Sequence, residues 1–255
     1  MRIWNVVGAS GLVHRIGAGN ALREEDLDEI LGGNLIAAAV TDPPYSSGGI
    51  HAATRCLSSP TKKYSLDRVY TDFAGDNRDQ RGWIRWCSLW AENLRARMVP
   101  GGYLASFTDW RQLPALTDAV QCAGYVWRGI AVWDKTEGAR PQKAAYRNQC
   151  EYVVWATNGR KGTEGSPILA GVHRTMSERD KVHLAQKPIS VMRWLAQIAA
   201  PDVGVVIDPF AGSGSTILGA DAAGRPCCAL EIDPVQLDVA LARLQTAGFE
   251  VQAVR

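Results

Sequence analysis

Several apolar runs in this chain are continuous rather than alternating, and this feature restricts the possible folds more than any other. Residues 35–41 read Leu-Ile-Ala-Ala-Ala-Val-Thr, and residues 203–208 read Val-Gly-Val-Val-Ile-Asp. A strand has this pattern when both faces of its sheet are covered, as in parallel sheets between layers of helices. Similar runs complete a predicted set of seven strands: 13–17, 35–41, 102–108, 126–133, 151–157, 203–208 and 227–232.

Helical patterns separate these runs, at residues 23–31, 81–98, 111–122, 188–199, 215–223 and 234–246. The alternation predicts an α/β fold with a Rossmann-like, mostly parallel seven-stranded sheet and helices on both faces. At 255 residues, the chain has the length of one sizeable domain, so a single domain over residues 1–255 is expected. One helix face carries an apolar stripe for which core packing is favoured over base stacking: Trp83, Trp86, Trp90 and Leu94.

The overall composition is that of an ordinary globular protein. The formal net charge is +2, with 46% hydrophobic and 21% charged residues, so net charge alone does not indicate a nucleic-acid partner. The six cysteines form no Cys-x-x-Cys pair and show no zinc-like spacing with histidine, so no metal site is expected. No signal peptide and no apolar run of bilayer length is evident. We therefore expect a cytoplasmic protein with reduced cysteines.

A glycine turn (residues 208–216, Asp-Pro-Phe-Ala-Gly-Ser-Gly-Ser-Thr) follows one of the apolar runs and precedes a predicted helix. Its glycines allow a tight turn and a close approach of backbone to a ligand. The spacing differs from the G-x-G-x-x-G of dinucleotide sites. Glu231 and Asp233 follow about 20 residues later, where an acidic group would meet ribose hydroxyls. These features predict an adenosine-containing ligand without identifying it.

The DPPY quartet (Asp42-Pro43-Pro44-Tyr45) follows the apolar run 35–41. Its prolines fix the backbone and remove two N–H donors, which leaves rigid backbone with exposed carbonyl groups. A simple proline turn would explain Pro-Pro-Tyr alone. An acid at the carboxyl end of a strand, followed by two prolines and an aromatic ring, is a more particular arrangement. Open parallel sheets bind their ligands at that edge.

With both motifs in view, the sequence resembles the DNA methyltransferases that modify amino groups, at adenine N6 or cytosine N4. The DPPY quartet matches the family's D-P-P-Y motif, and residues 210–214 match its F-x-G-x-G motif. The quartet precedes the glycine turn, which resembles the circularly permuted β group. His183 and Gln186-Lys187-Pro188 resemble the H-P-x-Q-K-P segment, with Leu184 in place of proline. Asn20 stands where the family commonly has the aspartate of G-D-x-x.

The resemblance implies a class I fold with S-adenosylmethionine as cofactor, and it suggests a role for each motif. The lone pair of an exocyclic amine is delocalised into its ring, so the Asp42 carboxylate and the Pro43 carbonyl would accept its hydrogens and make the nitrogen nucleophilic. Tyr45 would stack on the base. Lys187 would face the methionine carboxylate of the cofactor. The remaining residues expected around the cofactor are Asn20, Asp208, Phe210, Gly212, Gly214, Glu231 and Asp233.

The expected substrate is adenine N6 of a base flipped out of double-stranded DNA. Adenine is favoured because the quartet begins with Asp42, where many cytosine-N4 enzymes carry serine. Cytosine N4 and an RNA amino group are the alternatives. Enzymes that methylate RNA or a protein glutamine usually have the cofactor motif before the catalytic motif, which is the opposite of the order in this chain. A catalytically inactive DNA-binding module is the alternative from another class, and the intact motifs argue against it.

The sequence also bears on target recognition. The interval in which the β group usually carries its recognition region, residues 158–182, is short and glycine-containing. We therefore expect relaxed specificity, or recognition by an insertion at residues 46–80, or recognition by the second subunit of a homodimer.

Overall fold

The computed structural model describes residues 1–45, 78–139, 141, 143–161, 167–176, 186–200 and 203–254. Its strands are β1 (Ile3–Val7), β2 (Val13–Ala18), β3 (Ile36–Thr41), β4 (Met98–Thr108), β5 (Val126–Asp134), β6 (Cys150–Thr157), β7 (Val172–Arg174), β8 (Val205–Asp208), β9 (Cys227–Glu231) and β10 (Glu250–Ala253). Its helices are α1 (Glu24–Leu31), α2 (Gln80–Ala96), α3 (Leu113–Cys122), α4 (Ile189–Ala196), α5 (Ser215–Ala222) and α6 (Pro234–Thr246).

The strands form one sheet in the order β10-β1-β2-β9-β8-β3-β4-β6-β5-β7. Its centre, β2-β9-β8-β3-β4, is parallel throughout. Strand β6 runs antiparallel to both β4 and β5, and β1 runs antiparallel to both β2 and β10. The mostly parallel α/β sheet predicted from the sequence is therefore confirmed, and each of the seven predicted strands is present.

The predicted number of strands needs correction, because the described residues contain ten rather than seven. The additional strands lie at the two edges of the sheet: β10 and β1 beyond β2, and β7 beyond β5. Strand β7 has three residues and β10 has four, and both are largely exposed. Strands this short and this solvated lack the apolar pattern that identifies the central ones.

The sheet separates two apolar clusters. Alternate residues of the central strands face opposite ways, so Ile207 joins one cluster while Val206 joins the other. Helices α1, α2 and α3 cover the first face, and α4, α5 and α6 cover the second. Burial on both faces explains why the runs that form β3 and β8 are continuously apolar.

Helix α2 carries the predicted tryptophan stripe. Asp79 caps its start by accepting a 2.7 Å hydrogen bond from the backbone N–H of Gly82. Trp83, Trp90 and Leu94 are fully buried, and Trp86 is partly buried against the same cluster. Core packing, as predicted, is the role of this stripe.

Both predicted recognition segments fall largely or partly outside the described residues. Residues 46–77 of the first lie outside them. In the second, residues 162–166 and 177–182 lie outside, while residues 167–176 are described and contain β7. None of the helices in the described part combines the length and the apolar character needed to cross a membrane.

Candidate active site

The two sequence motifs lie side by side at the carboxyl end of the sheet. Strands β3 and β8 are adjacent and parallel; the DPPY quartet follows the first and the glycine turn follows the second. A hydrogen bond joins their ends, because Thr41 Oγ1 donates to Asp208 Oδ1 over 2.7 Å. Both side chains are buried. The fold thus brings together two motifs that are far apart in the chain.

The DPPY quartet is held by contacts on either side. The Tyr45 hydroxyl donates a hydrogen bond to Asp42 Oδ1. The indole Nε1 of the buried Trp83 donates to the Pro44 carbonyl over 2.9 Å, which ties the quartet to α2. Pro43 is buried, whereas the Asp42 side chain is 19% exposed. The acid of the quartet is therefore fixed in position and still accessible from the edge of the sheet.

Burial shifts the pKa values of both Asp42 and Tyr45. It raises the pKa of the Asp42 carboxyl above the ordinary value, against the opposing effect of the Lys187 charge. It also raises the pKa of the Tyr45 hydroxyl, and the neighbouring Asp42 charge acts in the same direction. Tyr45 is therefore a neutral donor to Asp42 and not a base.

Lys187 lies at the quartet. Its Nζ donates a hydrogen bond to Asp42 Oδ2 and lies 3.3 Å from Glu151 Oε2. The ammonium is 4.9 Å from the centre of the Phe107 ring, and the residue is 7% exposed. Burial works to lower the pKa of Lys187, but the charges of Asp42 and Glu151 outweigh it and raise that pKa. A contact with the methionine carboxylate of a cofactor stays a prediction for this side chain.

Glu151 and Lys135 extend this contact away from the quartet. Glu151 is in β6, and its Oε1 lies 3.3 Å from the Nζ of Lys135, which follows β5. Burial works to raise the pKa of Glu151, but the charges of Lys187 and Lys135 outweigh it and hold that pKa below its ordinary value. Glu151 is therefore ionised at neutral pH.

The glycine turn is organised by the Asp208 carboxylate. Its Oδ1 also accepts a 3.0 Å hydrogen bond from the Phe210 backbone N–H, and its Oδ2 accepts from the Thr216 hydroxyl. Burial raises the pKa of Asp208 to about 6, against the effect of these hydrogen bonds. Gly212 and Gly214 have φ angles of +50° and +78°, a region that glycine occupies without strain. Asp208 thus shapes the turn from within.

Glu231, at the end of β9, closes the turn from the other side. Its Oε2 accepts a 2.7 Å hydrogen bond from the Gly212 N–H, and its Oε1 accepts a 2.9 Å bond from the Asp233 N–H. Burial raises the pKa of this carboxyl. Because each carboxylate oxygen has more than one lone pair, both can accept a further hydrogen bond from a ligand hydroxyl.

Asn20 and Asp233 stand at the ends of neighbouring elements. The side chain of Asn20 accepts a 2.9 Å hydrogen bond from the Leu22 N–H and so forms a local turn after β2. Asp233 caps α6 by accepting a 2.9 Å bond from the Val235 N–H. Both residues lie at the same edge of the sheet as Glu231, and both side chains accept a hydrogen bond from local backbone.

Phe210 connects the glycine turn to the core. Its ring centre lies 5.3 Å from that of Trp86 and 5.6 Å from that of Trp90, with the second pair edge to face. The Arg78 guanidinium lies 4.7 Å from the centre of the Trp86 ring. Two residues of the tryptophan stripe therefore support the turn that was predicted to hold the cofactor.

The turn fits a ligand that approaches its backbone closely. A Cβ placed on Gly212 would meet no heavy atom nearer than the Phe210 carbonyl oxygen, at 4.0 Å, so this glycine borders open space. The buried Glu231 carboxylate accepts the hydrogen bond from the backbone N–H of this glycine. A nearly buried acid beside a glycine backbone suits the ribose hydroxyls of an adenosine-containing cofactor.

The sequence motifs did not reveal Thr41, Trp83, Lys135 or Glu151 as parts of the site. Thr41 and Glu151 lie in predicted strands, where a polar residue gives no sign of its partner. The prediction that Trp83 packs in the core is confirmed, and its indole N–H also anchors the quartet. His183, in the segment resembling H-P-x-Q-K-P, lies outside the described residues.

Comparison with known proteins shows the family to which the chain belongs. A family model described as DNA methylase, for N6 and N4 methylation, matches residues 36–242 and so contains both motifs. YubD of Escherichia coli (strain K12), a protein named as a methylase, is 26% identical over 200 residues, which are 78% of each chain. The type II methyltransferase M.HindIII of Haemophilus influenzae is 37% identical over 170 residues, 67% of this chain and 46% of that enzyme. The match thus spans about half of M.HindIII.

Solved structures share the fold. The M1.HpyAVI–SAM complex has a TM-score of 0.61 at 20% identity and covers 89% of this chain and 98% of its own. The cytosine-N4-specific PvuII DNA methyltransferase has a TM-score of 0.66 at 14% identity and covers 91% and 89%. Since the family model spans most of the chain and both of its motifs, the chain belongs to the N6/N4 family of DNA methylases.

Proposed function

We propose that this protein is an S-adenosylmethionine-dependent DNA methyltransferase that methylates adenine N6, with residues 1–255 acting as one catalytic domain. The observation that carries the proposal is the direct contact between the strand ends that bear the two motifs, through Thr41 and Asp208. Because of this contact, a base held by the DPPY quartet and a cofactor held by the glycine turn would lie next to each other. Methyl transfer from an activated sulfonium chiefly requires such alignment.

The quartet binds the target amine. The Asp42 carboxylate and the Pro43 carbonyl accept the two amine hydrogens, which draws the nitrogen towards a tetrahedral, nucleophilic geometry. The Tyr45 ring stacks on the base, a contact that contributes about 1–3 kcal/mol in other stacked complexes. Asp42 acts as a hydrogen-bond acceptor. The new N–C bond would form as the C–S bond of the sulfonium breaks and a neutral thioether leaves, and the surplus proton of the resulting cationic amine would pass to solvent water.

The glycine turn and Glu231 bind the cofactor. Glu231 accepts hydrogen bonds from the ribose hydroxyls, and the Gly212 backbone borders the ligand. Phe210 and Gly214 complete the pocket wall, while Asp208 and Asp233 keep its backbone in shape through the hydrogen bonds described above. Asn20 borders the pocket at the end of β2. In the proposed complex, S-adenosylmethionine supplies the methyl group that the amine attacks.

The preference for adenine rests on Asp42, and cytosine N4 is the second candidate. The two substrates share an amino group beside a ring nitrogen, so the same quartet can hold either. The PvuII enzyme, whose fold is shared here, is specific for cytosine N4. The fold is therefore compatible with both chemistries.

Double-stranded DNA binds at the carboxyl edge of the sheet, because the Asp42 side chain is accessible from that edge. Directly after β4 on this edge, Trp110 is 57% exposed, and the Arg111 guanidinium lies 5.1 Å from its ring centre. An exposed ring beside a cation suits contact with unstacked bases and phosphates. Recognition by residues 46–80 or 158–182, or by a second subunit, stays a prediction.

The experiment that tests this function identifies the modified nucleoside. The full chain is incubated with S-adenosylmethionine and unmodified duplex DNA, and the DNA is digested and analysed by mass spectrometry. N6-methyldeoxyadenosine is the expected product. N4-methyldeoxycytidine would replace the base in the proposal and keep the site, whereas methylation of RNA alone would contradict the proposed substrate.

A further inference from the structure

Four charged side chains of alternating sign run from the quartet along the same edge of the sheet to the end of β5. Lys187 Nζ donates to Asp42 Oδ2 and lies 3.3 Å from Glu151 Oε2, and Glu151 Oε1 lies 3.3 Å from Lys135 Nζ. The side-chain exposures are 19%, 8%, 22% and 20% from Asp42 to Lys135. Two cations and two carboxylates leave the chain of charges neutral. This neutrality lets four charges share one partly buried place.

We propose that Glu151 is a positioning residue for methyl transfer, which holds Lys187 beside Asp42 and receives the Lys187 ammonium when the target amine binds Asp42. The inference rests on the proposed function of Asp42 as the acceptor for that amine. It adds Glu151, which belongs to neither sequence motif, to the residues on which the rate of transfer depends.

The first argument concerns the acceptor capacity of Asp42. In the structure both oxygens of its carboxylate are engaged, Oδ1 by the Tyr45 hydroxyl and Oδ2 by Lys187. An incoming amine must share these oxygens or displace one donor. If Asp42 were the only partner of the buried Lys187 ammonium, release of Asp42 would carry a large desolvation cost. Glu151 provides the second partner, so Lys187 can release Asp42 and stay paired.

The second argument concerns Glu151 Oε2. This oxygen is buried, and among the described residues its contact is an ion pair with the Lys187 ammonium, 3.3 Å away, without the geometry of a good hydrogen bond. A buried acceptor without a hydrogen bond is costly and uncommon. A small movement of the Lys187 ammonium towards Oε2 would complete that bond as the amine takes its place on Asp42.

The third argument concerns rigidity. Glu151 is the second residue of β6 and pairs with Trp133 of β5, while the next residue, Tyr152, pairs with Thr108 of β4. A carboxylate on a strand with neighbours on both sides has a fixed backbone. It can therefore hold the flexible Lys187 side chain in a definite place.

Glu151 also has a predictable electrostatic effect on Asp42. Its negative charge raises the pKa of Asp42, whereas the charge of Lys187 lowers it. Asp42 must be ionised to accept the amine hydrogens, so activity falls as the pH drops through its pKa. Removal of the Glu151 charge moves this acid limb to lower pH. The charged or titratable groups that face Asp42 or its partners are Tyr45, Asp109, Lys135, Glu151, Lys187 and Asp208.

The test uses the full chain and measures single-turnover methyl transfer to duplex DNA as a function of pH. For Glu151→Gln we expect a rate roughly tenfold to a hundredfold lower, as for other misplaced catalytic groups. The affinity for DNA stays as in the wild type, and the acid limb moves to lower pH. Glu250→Gln, the same change at an exposed position of β10, leaves the rate and the limb unchanged.

Two further variants separate charge from contact. Glu151→Asp keeps the charge but shortens the side chain, so the rate falls while the acid limb stays near its wild-type position. Lys135→Met removes the far cation, so the acid limb moves to higher pH, opposite to Glu151→Gln. This variant also serves as the test if Glu151→Gln does not fold.

Two results would overturn the inference. One is a wild-type rate and an unshifted acid limb in Glu151→Gln. The other is a loss of rate that parallels a lower melting temperature, with an unshifted limb in both Glu151→Gln and Lys135→Met, since that pattern shows a purely structural role. A wild-type protein that methylates no DNA would instead refute the proposed function, and the wild-type reaction measured alongside distinguishes the two failures.

Discussion

Thr41 and Asp208 form a buried hydrogen bond between the ends of β3 and β8, with 2.7 Å between Thr41 Oγ1 and Asp208 Oδ1. The carboxylate accepts two more hydrogen bonds, from the Phe210 N–H and the Thr216 hydroxyl. One buried acid therefore organises the glycine turn and joins it to the strand that carries the quartet. Its charge is held in the interior without a cation within ion-pair distance among the described residues.

The first prediction follows from the raised pKa of Asp208, about 6 against an ordinary 3.8. Between these values the folded protein binds a proton that the unfolded chain does not, so the Asp208 contribution to stability is lost as pH rises towards 6. Asp208→Asn removes this dependence. From about pH 4 to pH 7, the unfolding free energy of the variant should rise relative to wild type by on the order of 2–3 kcal/mol.

Urea denaturation of both proteins at a series of pH values measures this difference. Asn keeps an oxygen for Thr41 and the Phe210 N–H, and the Thr216 hydroxyl can turn to accept from the amide. Asp118→Asn provides a comparison at an exposed aspartate of α3, outside the site. A difference between Asp208→Asn and wild type that stays constant with pH would show that Asp208 has an ordinary pKa.

The second prediction concerns the hydrogen bond from Trp83 Nε1 to the Pro44 carbonyl, which is 2.9 Å long. Trp83→Phe keeps a buried ring but leaves that carbonyl without its donor, so the quartet loses its anchor to α2. We expect kcat to fall roughly tenfold, since small misplacements of reacting groups are costly. Loss of stability should be about 1–3 kcal/mol.

Trp127→Phe is the matched control for this change. In the wild type, Nε1 of Trp127 also donates to a carbonyl, that of Gly129, over 3.0 Å. The Trp127 ring is 42% exposed, however, and its acceptor is not part of the quartet. The kcat of Trp127→Phe should equal that of the wild type. Equal kcat values for the two variants would mean that the Trp83 anchor has no effect on transfer.

The third prediction concerns Gly212, whose φ is +50° and whose missing Cβ borders open space. Gly212→Ala adds a methyl group on the ligand side of the turn and costs about 1–2 kcal/mol of backbone strain. S-adenosylmethionine should bind at least about tenfold more weakly, measured by calorimetry, because backbone can no longer approach the ligand closely.

Gly224→Ala separates strain from contact with the ligand. Gly224 has a φ of +69° and equally open surroundings, but it lies before β9, at the opposite end of the strand from Glu231. It should show the loss of stability without the loss of affinity. Equal affinities in the two variants would place the cofactor away from the glycine turn.

The sequence predicts the parts of this fold that are governed by local patterns. Strands such as β3 and β8 are recognisable because burial on both faces requires continuous apolar runs. The quartet and the glycine turn are recognisable because each is a contiguous segment with special backbone needs. Strand order then follows the usual architecture of parallel sheets, and it places both segments at one edge.

The unpredicted parts depend on contacts between distant residues. Lys187 and Asp42 are separated by 145 positions, and Glu151 reaches Lys187 only because β6 lies beside β4 in the sheet. A polar residue in a strand has no pattern that identifies its partner. Strands β7 and β10 escaped prediction for a different reason, since they are short, exposed and stabilised by pairing at the sheet edges.

The central claim is that Asp42 acts on the target amine while a separate turn holds the cofactor. The most direct measurement compares wild type with Asp42→Ala for S-adenosylmethionine binding by calorimetry and for methyl transfer to duplex DNA in the same preparations. Loss of the acceptor should lower the transfer rate about a hundredfold or more, by analogy with other electrostatic contacts to a reacting centre. Lys187 keeps Glu151 as a partner in this variant, so cofactor binding should be unchanged. Full transfer by Asp42→Ala, or an equal loss of transfer and of cofactor binding, would contradict the account.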